Sequence, residues 1–126
     1  MPSWRSRILT VQSSYYALTG LWPLLHFDSF ELVTGPKTDD WLVRMVALLV
    51  VLIGVTLGVA VLRDAVWTLE ITVLAAGATI AFSAIDIWYA FSGRISPIYL
   101  ADAVLEATLL VGLVLTRRPR HDTERA

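Results

Sequence analysis

Residues 45–62 read MVALLVVLIGVTLGVAVL, a run from Met45 to Leu62 of 18 positions without a charge. At ~1.5 Å of rise per residue such a helix is about 27 Å long, close to the hydrocarbon thickness of a bilayer. A run of this length and purity reads as a membrane span. The whole chain agrees. Of its 126 residues 56% are hydrophobic and 17% charged, whereas soluble domains carry roughly 25% charged residues. Mean hydropathy is +0.66. The net charge of −1 leaves no electrostatic footprint for nucleic acid. The absence of cysteine excludes disulfides, thiolate metal sites and cysteine catalysis. The two histidines, His26 and His121, are too few for a histidine-rich metal site.

Working outward, the span extends back to Trp41 and carries Arg44 one turn in. Gly54 and Gly58 form a GxxxG pair, which lets a second helix approach closely. Packing within the chain is the plainer use of that pair, and a homo-oligomer contact is the alternative. Downstream, Arg63-Asp64 is a tight connection to a third span, Val66–Phe91, which carries Glu70, a small-residue middle and Asp86. Asp86 and Glu70 fall on different faces, so they line no common path. After residues 92–96 comes ISPIYLADAVLE, Ile95–Glu106, which opens the last span, 97–116. Ser96 suits an N-cap, and Pro97 suits a first turn, where its missing N–H costs nothing. Asp102 and Glu106 are four apart and share one helix face, with Tyr99 close to it.

Upstream, Trp4–Arg7 is a basic lead and residues 8–26 are a first span. Gln12, Tyr16, Thr19, Pro23 and His26 recur at helical spacing, so one stripe is polar and should face inward. A basic start before an apolar stretch also suits a signal peptide. The segment is too polar for that and lacks a small-x-small cleavage site, so a retained helix is expected. The connection 27–40, FDSFELVTGPKTDD, turns at Gly35-Pro36 and offers Thr38 with Asp39 and Asp40 as a helix start. Its Phe27, Phe30, Leu32 and Val33 predict a loop folded back on the membrane surface. The tail, 117–126, is polar.

The expectation is therefore all-α: a single membrane domain, 1–126, forming a four-helix transmembrane bundle. Seven Lys and Arg residues fall on the end segments and the second connection, against three on the other two. Positive residues favour the cytoplasm, which predicts both termini cytoplasmic. Trp22, Trp41, Trp67, Trp88 and Tyr89 lie near span ends and read as interfacial anchors.

Depth then groups the polar residues. Asp102 lies ~7 Å and Glu106 ~13 Å below the outer end of the last helix by the helix rise. Asp86 is about as deep as Asp102, Arg44 is shallower, and His26, Thr19, Tyr15 and Tyr16 occupy the same outer half. This predicts an outward-opening acidic pocket of Asp102, Glu106, Asp86, Arg44, His26, Tyr16 and Tyr99. Three carboxyls would meet one obligate cation, so a proton, a cation or a cationic ligand must complete the balance. The plainer alternative is a hydrogen-bond network holding four helices together, with Arg44 snorkelling, the tyrosines packing, His26 solvated and Glu70 bonded to Arg63, Arg5 or water. No P-loop, nucleophile elbow or HExxH is present, and Asp102, Glu106 and His26 make only a weak metal pattern. No catalytic residue, metal or cofactor is assigned. The expected partners are the lipid bilayer and a small-molecule, lipid-headgroup or cation ligand. A proton- or cation-coupled transporter or channel subunit, and a membrane enzyme using the carboxylates, are the alternatives.

The stretch SFELVTGPKTDDWLVR (Ser29–Arg44), the preceding GLWPLLH and the later ISPIYLADAVLE resemble a group of small uncharacterised bacterial four-span membrane proteins. The resemblance implies an inner-membrane location. It transfers no activity and no catalytic residue.

Overall fold

A computed structural model describes residues 3–116. The arginine-bearing tail, 117–126, and His121 lie outside the described residues. Those described form five α-helices: α1 (Trp4–Leu25), α2 (Phe27–Thr34), α3 (Asp40–Leu62), α4 (Leu69–Phe91) and α5 (Ile98–Leu115). Among the described residues there is no strand. Helices α3, α4 and α5 are long and apolar enough to cross a membrane. Helix α1 is as long but is not among them, because its polar stripe dilutes it.

Local chemistry sets the helix ends. The Ser3 hydroxyl oxygen accepts from the Ser6 N–H at 3.1 Å and starts α1. Pro23 removes a backbone donor from its last turn, and His26 leaves the helical region at φ −149°. Thr68 caps α4, its hydroxyl oxygen accepting from the Ile71 N–H at 3.3 Å, so this helix begins three residues later than its apolar run. Asp39, rather than Thr38, is the residue before α3, and it makes no side-chain cap. Pro97 stands just before α5, and the Ser96 hydroxyl accepts from the Ile98 N–H at 3.3 Å.

The connection expected as a folded-back loop contains a helix. In α2 the His26 Nδ1 accepts from the Ser29 N–H at 3.2 Å, and Asp28 sits favourably in the first turn. The helix stops at Gly35, whose φ of +99° suits glycine alone. Eight residues are too few for a periodic signal, and a histidine cap is not a strong start signal.

The long helices form two close pairs, α1 with α3 and α4 with α5, with fewer contacts between the pairs. Glycine sets the first pairing. A Cβ on Gly54 would stand 2.9 Å from the Ser13 carbonyl oxygen, and one on Gly58 would stand 2.9 Å from the Ser13 hydroxyl. The Ser13 hydroxyl donates to the Gly54 carbonyl at 2.7 Å. The close approach that the GxxxG pair permits is thus taken up by α1 of the same chain. Gly54 and Gly58 do not offer a bare homo-oligomer face.

The two pairs close over one half of the bundle, the half holding the start of α1 and the end of α5. There Leu9, Leu57, Val66, Ala75 and Leu113 form the core. The polar stripe of α1 faces inward as expected: Gln12, Tyr16 and Pro23 are buried and Thr19 is half-buried. Outward, α1 presents Val11 and Leu18, α3 Leu48, Leu52, Val55 and Val59, α4 Val73 and Ile80, and α5 Val104 and Val111. The bundle is thus apolar on its outer surface as well as in its core, unlike a soluble domain, and it buries polar side chains such as Gln12, Thr79 and Glu106.

Candidate functional site

In the other half, under α2, the helix pairs part. The gap is a cavity of about 650 Å³. Its walls are mostly apolar, with Val43, Val46, Ala47 and Val50 from α3, Phe82 and Ile85 from α4, and Ile98 and Leu105 from α5. Phe30, Val33, Thr34 and Lys37 contribute from α2 and the turn after it.

The polar part of the wall is built by spacing. Asp102 and Glu106 lie one turn apart on α5 and face Tyr15 and Tyr16 of the antiparallel α1. The Tyr16 hydroxyl donates to Glu106 Oε1 at 2.7 Å. The Tyr15 hydroxyl donates to Asp102 Oδ1. Glu106 is 2% exposed and Tyr16 1%. Asp86 reaches the same space from α4, is 6% exposed, and neighbours Asp102. Its Oδ2 is buried without a hydrogen-bond partner. The rings close in beside the acids: Phe82 stands edge-on to Tyr16, centroids 5.6 Å apart, and Tyr15 lies 6.2 Å from Tyr16.

The donors to these acids are tyrosine hydroxyls, not Lys or Arg, among the described residues. Lys37 is at the cavity rim. Its Nζ donates to the Thr34 carbonyl at 3.0 Å and sits 5.2 Å from the Tyr99 ring centroid and 5.8 Å from that of Phe30. Its own N–H donates to Glu31 Oε2 at 2.8 Å, which fixes the turn. The cavity therefore has a carboxyl-rich wall, aromatic flanks and a cationic lip.

Five of the residues singled out from sequence line this one cavity: Asp86, Asp102, Glu106, Tyr16 and Tyr99. Two do not. Arg44 is exposed, and its guanidinium lies 4.8 Å from the Phe27 ring centroid. The cavity-facing stripe of α3 is Val43, Val46, Ala47 and Val50, and one further residue turns Arg44 about 100° away from Val43. His26 is exposed and spends its ring on Ser29, with Nδ1 2.8 Å from the Ser29 hydroxyl. Depth along an axis does not fix the direction a residue takes around it.

Sequence reading also missed Lys37 as a site residue. The signal was there, since Lys37 is the only Lys or Arg in the connection 27–40. It further missed Arg5 at the opposite end. The sequence offers Arg5 as an orienting charge and a partner within reach of Glu70, yet it is 5% exposed. Its Nε donates to the Val66 carbonyl at 2.7 Å, Nη2 to the Thr72 hydroxyl at 2.5 Å, and Nη1 to the Leu113 carbonyl at 3.4 Å and the Thr116 hydroxyl at 3.3 Å. The guanidinium also lies 4.7 Å from the Trp67 ring centroid. Glu70, which was expected to bond Arg63, Arg5 or water, is exposed in the first turn of α4.

Among the described residues no group of three or more Asp, Glu or His side chains is arranged to hold a metal ion. The cavity can hold a small molecule, present several acceptors to it and shield both from water. Comparison with protein-family models, with curated proteins and with solved structures found no match.

Proposed function

We propose that this is a four-span bacterial inner-membrane protein, both termini cytoplasmic, whose acidic cavity opens outward and binds a small molecule, lipid headgroup or cation. The observation that carries the reading is the buried, unpartnered Asp86 Oδ2 on the wall of a cavity of about 650 Å³. Small-molecule sites are mostly apolar hollows of roughly 300–1,000 Å³ with a few convergent polar groups. Ionisable groups inside a membrane generally mark function or a wet cavity. The apolar outer face of α1 supports a fourth span, with its polar stripe turned inward. The arginine distribution supports the orientation.

Binding is favoured over passage because Leu9, Leu57, Val66, Ala75 and Leu113 form a buried core between the cavity and the groove beside Arg5. One experiment tests both points, using the absence of native cysteine. Thr19→Cys places a thiol on the cavity wall, and Ala75→Cys places one in the closed half. A membrane-impermeant trimethylammonium-ethyl methanethiosulfonate, added outside proteoliposomes of right-side-out protein, should label the first and spare the second. Labelling of neither overturns the open cavity. Labelling of both replaces binding with a transmembrane path.

A further inference from the structure

The cavity's chemistry narrows its occupant. Resting on the binding reading above, we infer that the cavity takes a lipophilic organic cation: one positive charge on an apolar body, the charge seated among Asp86, Asp102 and Glu106.

Three observations converge on this class. The first is the buried carboxylate oxygen of Asp86, which lacks a donor. Burying an acceptor without a partner is costly, and Asp86 neighbours another acid, Asp102, so the pair needs a proton or a positive group to complete it. An anionic occupant would add like charge to this wall. The second is the kind of neighbours. Tyr15, Tyr16 and Phe82 stand beside the acids, and aromatic faces attract organic cations, whose charge is spread and weakly hydrated. The third is size. A metal ion would leave most of about 650 Å³ empty, and the carboxyls are not arranged as a chelating group. The apolar remainder of the wall fits a hydrocarbon or aromatic body. Lys37 does not neutralise the acids from within, because its Nζ is held at the lip by the Thr34 carbonyl and by the faces of Phe30 and Tyr99.

Tetraphenylphosphonium and tetraphenylborate are twins in shape and opposite in charge, so they separate charge recognition from mere apolar fit. The Thr19→Cys protein in phosphatidylcholine nanodiscs is labelled with the small neutral reagent methyl methanethiosulfonate, with and without each ion. The phosphonium at ten times its half-saturating concentration should slow labelling about tenfold by mass action, and the borate should leave the rate nearly unchanged. In an Asp86→Asn background the phosphonium's half-saturating concentration should rise about tenfold, as expected when one partner of a buried charge contact is removed. Because the twins are compared on one protein that keeps all three acids, the result does not depend on whether the Asp86 variant folds. Equal protection by both ions, stronger protection by the borate, or protection by neither overturns the cationic class while leaving the open cavity standing. Failure of Thr19→Cys to label at all overturns the cavity reading, and the inference with it.

Discussion

Each end of this bundle buries charge, and the two ends treat it oppositely. At the end where the chain begins, Arg5 is surrounded by acceptors from the α3–α4 connection, α4, α5 and the residue after α5. Every guanidinium nitrogen has a partner, even though Arg5 borders a groove of about 610 Å³ with Trp4, Ile8, Trp67 and Gly112. At the α2 end three carboxyls have two tyrosine hydroxyls between them, one oxygen has nothing, and a cavity adjoins them. A buried charge whose donors the fold fully satisfies holds a structure together. A set that the fold leaves under-satisfied beside a hollow is, on the reading proposed above, a place for a ligand. Buried ionisable groups in this bundle are thus not one signal but two, distinguished by whether the partners are supplied by the fold.

That contrast can be broken by substitution, largest effect first. Arg5→Ala strips donors from the Val66 and Leu113 carbonyls and from the Thr72 and Thr116 hydroxyls together. It should lower stability by about 3 kcal/mol, since hydrogen bonds to a charged group are worth roughly 1.5–3 kcal/mol each but are not additive. Denaturant unfolding in bicelles measures this, and a loss indistinguishable from that of an exposed arginine would remove Arg5 from its structural role.

Asp86→Asn should act in the opposite direction. It replaces a buried ionisable group, whose Oδ2 the fold leaves without a partner, by a neutral amide whose N–H group can donate to neighbouring Asp102. Stability should rise by about 1 kcal/mol in the same assay near neutral pH, because buried ionic groups often cost stability relative to neutral replacements. A loss of similar size would make the acids part of the bundle's glue and erase the difference between its ends.

Arg44→Ala should change stability by less than about 0.5 kcal/mol, the usual range for an exposed side chain with a single cation–π contact. A larger loss, or a loss of cation protection at Thr19→Cys, would return Arg44 to the site.

How much was legible follows from the range of the interactions involved. The 18-residue run from Met45 and the polar stripe of α1 are local patterns, and the all-helical fold follows from them. The convergence of Asp86, Asp102 and Glu106 was also legible, because spacing and depth are counted along one axis. What failed was the angle around that axis: Arg44 sits one residue off the cavity stripe. Helix α2 was invisible because it is short and its cap is unusual. Arg5 was invisible for a different reason. Its Val66 and Leu113 acceptors lie 61 and 108 positions along the chain, and nothing near Arg5 in sequence announces them.

The spread of those acceptors has a consequence for how the protein is made. Arg5 belongs to the first turn of the first helix, and its acceptors arrive in the order 66, 72, 113 and 116. While the chain is emerging, that guanidinium must stay hydrated or against lipid headgroups. It can gain its last partners only after α5 is complete. The knot is therefore a closing latch, and the first helix takes its final seat when the last one has been delivered.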